Sequence, residues 1–403
     1  MERVLTSVIP SLVKDGIFGN VEFEELKTKD DSNVGAQFAS TLAFANLVLK
    51  NVFGEQQILP LVIKIPMPER SKEGRVQFMM ESVMYKEILP TLGLEQVCYP
   101  TLHYSNVTFD NPTEHVMIFE NVMYKHYRNS DSRTFLDFDH VSLALKSIAK
   151  YHSLSFILKH ENMNKFLELT GKMSKCRYDY ELSNIYDIPV HAAIERGIRG
   201  FEKINGSEEM FEELIRALQK PALVKDQLTT PDEPFDVICH GDFCNNNVMY
   251  KYNENGSPTD CILYDFQLSI YGNVAAELAF FLYMHTNSES RTRYWDSFMK
   301  IYWETLRKSV PDHIELPTYE DFLEYFGTRA VCGYAISACF LPMLMDPNVK
   351  YWGGLPVEEQ VALMKNMAGD KGEKAIVDVV SHMYNNSYIH KFLDYMKKKN
   401  YLV

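Results

Sequence analysis

At 403 residues, with 46% hydrophobic, 13% aromatic and 24% charged residues, the chain has the composition of an ordinary globular protein, and it is long enough for two lobes because single cores seldom grow past ~250–300 residues. A net charge of -13 argues against a nucleic-acid backbone or an anionic membrane surface as the main partner, since both are bound through excess Lys and Arg. Seven cysteines, an odd number without CxxC or metal-type spacing, read as thiols of a reducing compartment.

The N-terminal "MERVLTSVIPSLVKDG" lacks the unbroken apolar core of a signal peptide, and no window reaches the roughly 18 uncharged apolar residues of a membrane helix. A soluble cytoplasmic protein is expected. From Val21 to about Val122 the texture is that of antiparallel strands: "FEELKTKD", "FASTLAFANLVLKN", "LPLVIKIP" and "EHVMIFENV" are short apolar or alternating runs broken by Gly, Pro, Asn and Asp. Between the first two, "NVGAQFAS" can form a hairpin whose backbone amides and Ser40 hydroxyl cover a phosphate, although with one glycine it does not match GxGxxG and reads equally as an ordinary turn. Lys64 sits inside the apolar run "LVIKIP", where a charge is costly unless its ammonium finds a partner or reaches water. One helix, "EGRVQFMMESVMYKEILPTLG", interrupts the strands and ends at Pro90 and Gly93. It carries Glu81, the obvious partner for Lys64. Glu120, in "IFENV", falls at the junction of two lobes, where backbone groups can bond an adenine edge and the side chain can hold the connector.

After Tyr124 long amphipathic segments take over. In "FDHVSLALKSIAKYHSLSFILKH", Val141, Leu145, Ile148 and His152 share one face, so His152 reads as a satisfied core histidine. Further helices are expected in "ENMNKFLEL", "SEEMFEELIRALQK", "NVAAELAFFLYMH", "RYWDSFMKIYWETLRKS" and "YEDFLEYFGTRAVCGYAISACF". Strand signal returns once, in "NNVMYKY" and "TDCILYDF", a hairpin joined by "NENGSPT". The organisation is therefore α+β: an N-terminal lobe over 1–122 with an antiparallel sheet and one helix, and a mainly helical lobe over 123–403 carrying the hairpin. A cleft between two such lobes is a common ligand site.

That hairpin follows "CHGDFCNNNVMY". Asp242, Asn247 and Asp265 flank its open end, and a hairpin brings its open ends together. Phosphoryl transfer from ATP requires a carboxylate for the acceptor hydroxyl, oxygen ligands for Mg²⁺ and a cation on the donor phosphates. Asn247 and Asp265 are hard oxygen ligands of the kind Mg²⁺ takes, leaving Asp242 to accept a proton. Lys64 with Glu81 supplies the cation, as in the strand-Lys to helix-Glu pair of kinases. Taken singly, each of these residues is equally a turn residue, a strand end or an edge lysine; together at this spacing they are not.

The segments "GAQFAS", "LVIKIP", "FMMESVMYKEILP", "MIFENV", "LKSIAKYHSLS", "CHGDFCNNNVMY", "ILYDFQ" and "AAELAFFLY" resemble the ecdysteroid kinase-like family, within the choline-kinase and aminoglycoside-phosphotransferase branch of the protein-kinase-like fold. The resemblance runs from about Gly35 to Phe340. It implies a two-lobed kinase-like fold and an ATP- and Mg²⁺-dependent kinase acting on a hydroxyl of a small lipophilic molecule, an ecdysteroid or a dietary or xenobiotic alcohol, in hormone inactivation or detoxification. Residue by residue it implies Asp242 as catalytic base, Asn247 and Asp265 as metal ligands, Lys64 on the phosphates, Glu81 as its partner, and His240 as a brace of the loop. The family pattern "HGDLWVNN" is altered here at Phe243, Cys244 and Asn245, and Glu277 replaces the Asp expected before Leu278. A monomer with a small-molecule partner, and no nucleic-acid or membrane partner, is the expectation. Two alternatives stay open: a non-catalytic kinase-like binding protein, and a kinase for a polar amino alcohol such as choline, for which Tyr334, Phe340, Trp352 and "FFLY" offer aromatic faces or simply core.

Overall fold

Alternation of apolar and polar residues along 21–66 folds into three long antiparallel strands. The computed structural model describes residues 1–29, 40–66, 73–94, 98–108, 114–178, 180–346, 348 and 352–401. A helix α1 (Ile9–Lys14), entered through a π turn at Val4–Val8, precedes β1 (Val21–Lys29), β2 (Ser40–Asn51) and β3 (Gln56–Pro66). Then α2 (Glu73–Val83) runs through a π turn, Met84–Ile88, into the short α3 (Leu89–Leu92), which Gly93 closes in the left-handed conformation. Strands β4 (Leu102–Asn106) and β5 (Val116–Glu120) complete a five-stranded sheet in the order β1-β2-β3-β5-β4.

Period 2 gives this sheet two different faces. Leu61, Ile63, Val116 and Ile118 face outward onto Ile9, Leu12 and Val13 of α1. Val62, Met117 and Phe119 face inward and join the main core with Phe78, Met80 and Met84 of the α2 segment. Lys64, one residue beyond Ile63, therefore emerges on the inner face, opposite Leu42 and Met117.

The remainder is β6 (Tyr127–Arg128), α4 (Phe138–Glu161), α5 (Met163–Ser174), α6 (Tyr180–Ser183), α7 (Asp187–Asn205), α8 (Glu209–Ala217), α9 (Pro221–Thr229), β7 (Asp236–Cys239), β8 (Val248–Tyr252), β9 (Pro258–Leu263), β10 (Ile270–Asn273), α10 (Val274–His285), α11 (Ser288–Ser309), α12 (Tyr319–Arg329), α13 (Val331–Met345), α14 (Val357–Asn366), α15 (Gly369–Asn385) and α16 (Tyr388–Lys398). The core is continuous across residue 122. Tyr85, from the helix beside the sheet, packs edge-on to Phe119 of β5 and Phe266 of the large part.

Three differences from the sequence reading have physical causes. The segment 319–340 is two helices, α12 and α13, meeting at 51°. A Cβ at Gly333 would lie 2.4 Å from the Ala279 carbonyl carbon, so α13 turns to lay this bare backbone directly on α10. Strand signal returns not once but twice in the large part, because β7 and β10 pair antiparallel. Each has four residues, too few to show a period, and "DVIC" is wholly buried. Helices α1, α6, α7, α9 and α14 to α16 also lie outside the segments expected to be helical; among them, α6 has only four residues and α9 is short and opens on a proline. Among the described residues no single helix is long and apolar enough to cross a membrane, and all seven cysteines are free.

Candidate active site

The site begins with the buried cation. Lys64 Nζ donates to Glu81 Oε2 and to Asp265 Oδ1, both at 2.7 Å, and the Lys64 and Glu81 side chains are 7% and 2% exposed. Burial by itself would drive the ammonium toward its neutral form, but the two carboxylates outweigh it and raise its pKa above the ordinary lysine value. Glu81 feels the opposite balance: desolvation, with the Asp265 charge beside it, lifts it to about 7 against the pull of Lys64. Those two directions favour different states for the pair. The geometry favours a charged Lys64 held by both acids, with Glu81 the weaker anion because it shares one ammonium with Asp265. The Phe78 ring covers the ammonium at 5.8 Å.

Asp265 comes from the hairpin. Val248 pairs with Leu263, and the Tyr264 amide donates to Asn247 O at 3.1 Å, so the residues on either side of the open end sit side by side. Asp265 itself adopts φ 65°, ψ 58°, a left-handed conformation that Asp tolerates better than most residues. That kink turns its carboxylate toward Lys64 while Gln267 Nε2 donates to its other oxygen at 3.2 Å.

Asp242 is positioned by the pairing of β7 with β10. Ile270 lies opposite Cys239, which brings the chain after β7 against residues 268–269. Gly241 has φ +81°, and a Cβ there would stand 1.8 Å from Leu268 O, so only glycine lets the two backbones approach. His240 Nε2 donates to Tyr264 O at 2.9 Å, and its Nδ1 faces the Asp242 amide at 3.4 Å. This histidine ties the loop to the hairpin as a brace. Asp242 is half-buried; desolvation, reinforced by Asp265 and opposed by His240, raises its pKa above the ordinary 3.8. Asn247 Nδ2 donates to both Asp242 O and Asp242 Oδ2 at 2.8 Å. Its Oδ1 has no hydrogen-bond partner among the described residues.

The three consecutive asparagines thus differ in what they do. Asn245 is buried, donates from Nδ2 to Ser132 O at 2.9 Å and gives its own amide to His285 Nε2 at 2.9 Å. Asn246 is exposed, and its carbonyl accepts the Tyr264 hydroxyl. Of the altered loop residues, Phe243 is core, stacked on Phe281 at 4.2 Å, and Cys244 is half-buried against an apolar cluster of Phe280, Met284 and Leu341.

A second layer holds this loop in place. Glu277 Oε2 accepts from His152 Nε2 at 2.7 Å and from the His240 amide at 3.1 Å, and Oε1 accepts from the Gly241 amide at 2.5 Å. Burial opposes the charge, yet His152 and these amides hold Glu277 below the usual glutamate range. The extra methylene relative to Asp therefore still reaches the loop. His152 is a core histidine with both nitrogens engaged, Nδ1 meeting Tyr302 Oη at 2.9 Å. Although His152, Cys239 and Glu277 bring ligand atoms within 4.8 Å of one another, internal hydrogen bonds already occupy the histidine and the carboxylate. His285, at the end of α10, donates from Nδ1 to Thr134 O at 2.8 Å and accepts from Asn245, and burial pushes its pKa down to about 4. Nothing in the sequence marks His285 as a loop support; its partners are 40 and 151 residues away.

The structure brings Lys64, Glu81 and Asp265 together directly, and Asp242 with Asn247. Ser40 is buried at the start of β2, opposite Pro66 and two residues from the partner of Lys64; the turn before it, with Gly35, lies outside the described residues. Glu120 stands at the junction, but its carboxylate is held by Thr101 Oγ1 at 3.1 Å and by Lys125, and its amide donates to Thr101 O at 2.8 Å. Its side chain and N–H are thus engaged in holding the connector. Tyr334 and Phe281 are core, Trp352 is buried against Tyr186, and Phe340 is exposed.

Comparison with known proteins adds one decisive match: the sequence pattern of the ecdysteroid kinase-like family fits residues 34–313. The chain belongs to the ecdysteroid kinase-like family. The matched span contains every residue of the site just described, from Lys64 to Glu277, and gives the α+β arrangement its kinase-like character. No curated protein matches the chain. Among solved structures, the amicoumacin kinase hAmiN in complex with AMP-PNP, Ca²⁺ and Ami aligns over 94% of this chain and 95% of its own, with 12% identity and a TM-score of 0.43. That likeness is too low to transfer residues between the two proteins.

Proposed function

We propose that this member of the ecdysteroid kinase-like family is an ATP- and Mg²⁺-dependent phosphotransferase that phosphorylates a hydroxyl of a small lipophilic molecule, an ecdysteroid or a dietary or xenobiotic alcohol. The observation that carries this reading is the double ion pair of Lys64 with Glu81 and Asp265 at the open end of the hairpin, where Asn247 holds the half-buried Asp242.

The residues fit a divalent ion. Asp265 offers carboxylate oxygens and Asn247 an amide oxygen without a hydrogen-bond partner among the described residues, the hard donors that Mg²⁺ takes; bound there, Mg²⁺ would neutralise charge on the phosphate oxygens. In the transfer itself the acceptor oxygen bonds to the γ-phosphorus as the bond from that phosphorus to the β,γ-bridging oxygen breaks. The hydroxyl proton passes to an Asp242 carboxylate oxygen, and the bonding electrons leave with ADP. A pKa above the ordinary aspartate value suits a group that must take up a proton. Lys64, fixed from two sides, orients the donor phosphates. Cys244, two residues after Asp242, adjoins apolar side chains of α10 and α13, which supports a lipophilic acceptor over a polar amino alcohol.

Asp242→Ala and Asp265→Ala are each expected to lower turnover by at least about 100-fold while the unfolding midpoint stays within a few degrees of the parent. A rate equal to the parent's in either purified variant would overturn the assignment. ATP with Mg²⁺ should raise the melting temperature more than ATP with EDTA.

A further inference from the structure

The transfer just described leaves one charge without a partner on the acceptor side. Phosphoryl transfer spreads negative charge over the equatorial oxygens of the moving group, and cations at both the donor and the acceptor end lower its energy. Lys64 serves the donor end and is already shared between two carboxylates. The loop that carries Asp242 supplies no cation: Phe243, Cys244 and three asparagines follow it, and His240 Nε2 is tied to a backbone carbonyl.

The fold brings one from elsewhere. Lys225 lies in the middle of α9, and it lines one small cleft together with Gly241, Leu268 and Ile270, the residues against which Asp242 is set. Helix α9 is fixed there by its C-terminal end: Asn273 Nδ2 donates to Leu228 O, and a Cβ at Gly272 would stand 2.7 Å from Thr229 O. At its other end the Ala222 amide donates to Asp187 Oδ1 at 2.8 Å. Lys225 is half-buried; its carbonyl accepts the Thr229 hydroxyl at 2.8 Å, and its Nζ has no hydrogen bond or ion pair among the described residues. Its neighbour Asp226 is occupied by Arg177. The positive charge of Lys225 reaches the Asp242 carboxyl, whose burial it partly offsets. A half-buried lysine whose ammonium has no counter-ion among the described residues, beside a carboxylate and a narrow cleft, is a site prepared for an anion.

We infer that Lys225 is the acceptor-side cation of the reaction, contacting the phosphoryl group as it moves from donor to acceptor oxygen and taking from α9 the role that a lysine or arginine of the loop itself would fill. This inference rests on the phosphotransfer reading. It predicts a transition-state contact, so its loss lowers kcat and leaves donor binding intact.

The test compares wild type, Lys225→Gln and Lys225→Arg in two measurements. The first is calorimetric binding of ADP with Mg²⁺, alone and with aluminium fluoride, a mimic of the moving phosphoryl group that needs no acceptor. Wild type is expected to bind ADP at least 10-fold tighter with aluminium fluoride present. Lys225→Gln should lose most of that gain while its affinity for ADP with Mg²⁺ alone stays within 2-fold, and Lys225→Arg should recover part of it. The second is turnover, where Lys225→Gln should lower kcat at least 10-fold with the KM for ATP unchanged. An aluminium fluoride gain equal to wild type in Lys225→Gln, or a change confined to the KM of the acceptor, would overturn the role of Lys225 and leave the phosphotransfer reading standing. Failure of wild type to bind ADP with Mg²⁺ at all would overturn both.

Discussion

At the scale of single residues, the site is built from charges that would be unstable if any one were alone. Lys64 holds two carboxylates, and removing it leaves Glu81 buried and Asp265 unneutralised. Breaking such a buried pair costs about 3–5 kcal/mol. Lys64→Ala should therefore lower the unfolding free energy by that order, measured by chemical denaturation, as well as abolish turnover. The double variant Lys64→Met with Glu81→Leu should regain much of the stability and none of the activity. Asp242 is the opposite case. Desolvation and the neighbouring Asp265 work against its charge, so Asp242→Asn should not destabilise the fold, and the acid limb of the wild-type rate profile should titrate above the ordinary aspartate value.

At the scale of elements, the loop that carries Asp242 is set by what packs beneath it. Glu277, on the first turn of α10, receives two consecutive loop amides and the His152 ring. Truncation to Ala orphans all three donors at a cost of about 3 kcal/mol. Glu277→Asp keeps the charge but shortens the reach, and should lower kcat several-fold with little change in the KM for ATP; a rate unchanged from wild type would show that the amide contacts do not position Asp242. Much of this site is legible in the sequence because its residues break local rules. A lysine in an apolar strand demands a partner, and an aspartate at each mouth of a hairpin has its neighbour assigned by the hairpin. Glu277 was visible only as a departure from Asp. His285, Gln267 and Lys225 break no local rule; their roles come from contacts between elements far apart in sequence. The same reason hid β7 and β10, whose pairing sets the approach of Gly241 to Leu268 and whose four residues each carry no readable period.

At the scale of the whole molecule, the two parts share one core, and its buried histidines make stability depend on pH. His285 is held neutral by donating to Thr134 and accepting from Asn245, with its pKa lowered by burial to about 4. Between that value and the ordinary 6.5, the unfolded chain binds a proton that the folded one refuses. Stability is therefore full above pH 6.5 and is lost as the pH falls toward 4, by about 1.4 kcal/mol per unit for this group. His382, lowered to about 3 by burial with Arg291 nearby, acts in the same direction. Denaturation curves at pH 7 and 5 should show a loss of about 2 kcal/mol from His285. In His285→Gln that share should vanish, because glutamine can both donate and accept without titrating. An identical slope in wild type and variant would contradict this account of the loop's support.

The five-stranded sheet supplies Lys64, the helix beside it Glu81 and the hairpin region Asp265, and the fold brings the three together. The most direct measurement is transfer of label from γ-labelled ATP in the presence of Mg²⁺ to a panel of ecdysteroids, plant-type alcohols and choline, with the product identified by mass spectrometry. A phosphate ester on a hydroxyl of a lipophilic member of the panel is expected, formed by wild type and absent with Asp242→Ala. Label transfer that persists in Asp242→Ala, or no labelled product from any acceptor together with no Mg²⁺-dependent stabilisation by ATP, would contradict it.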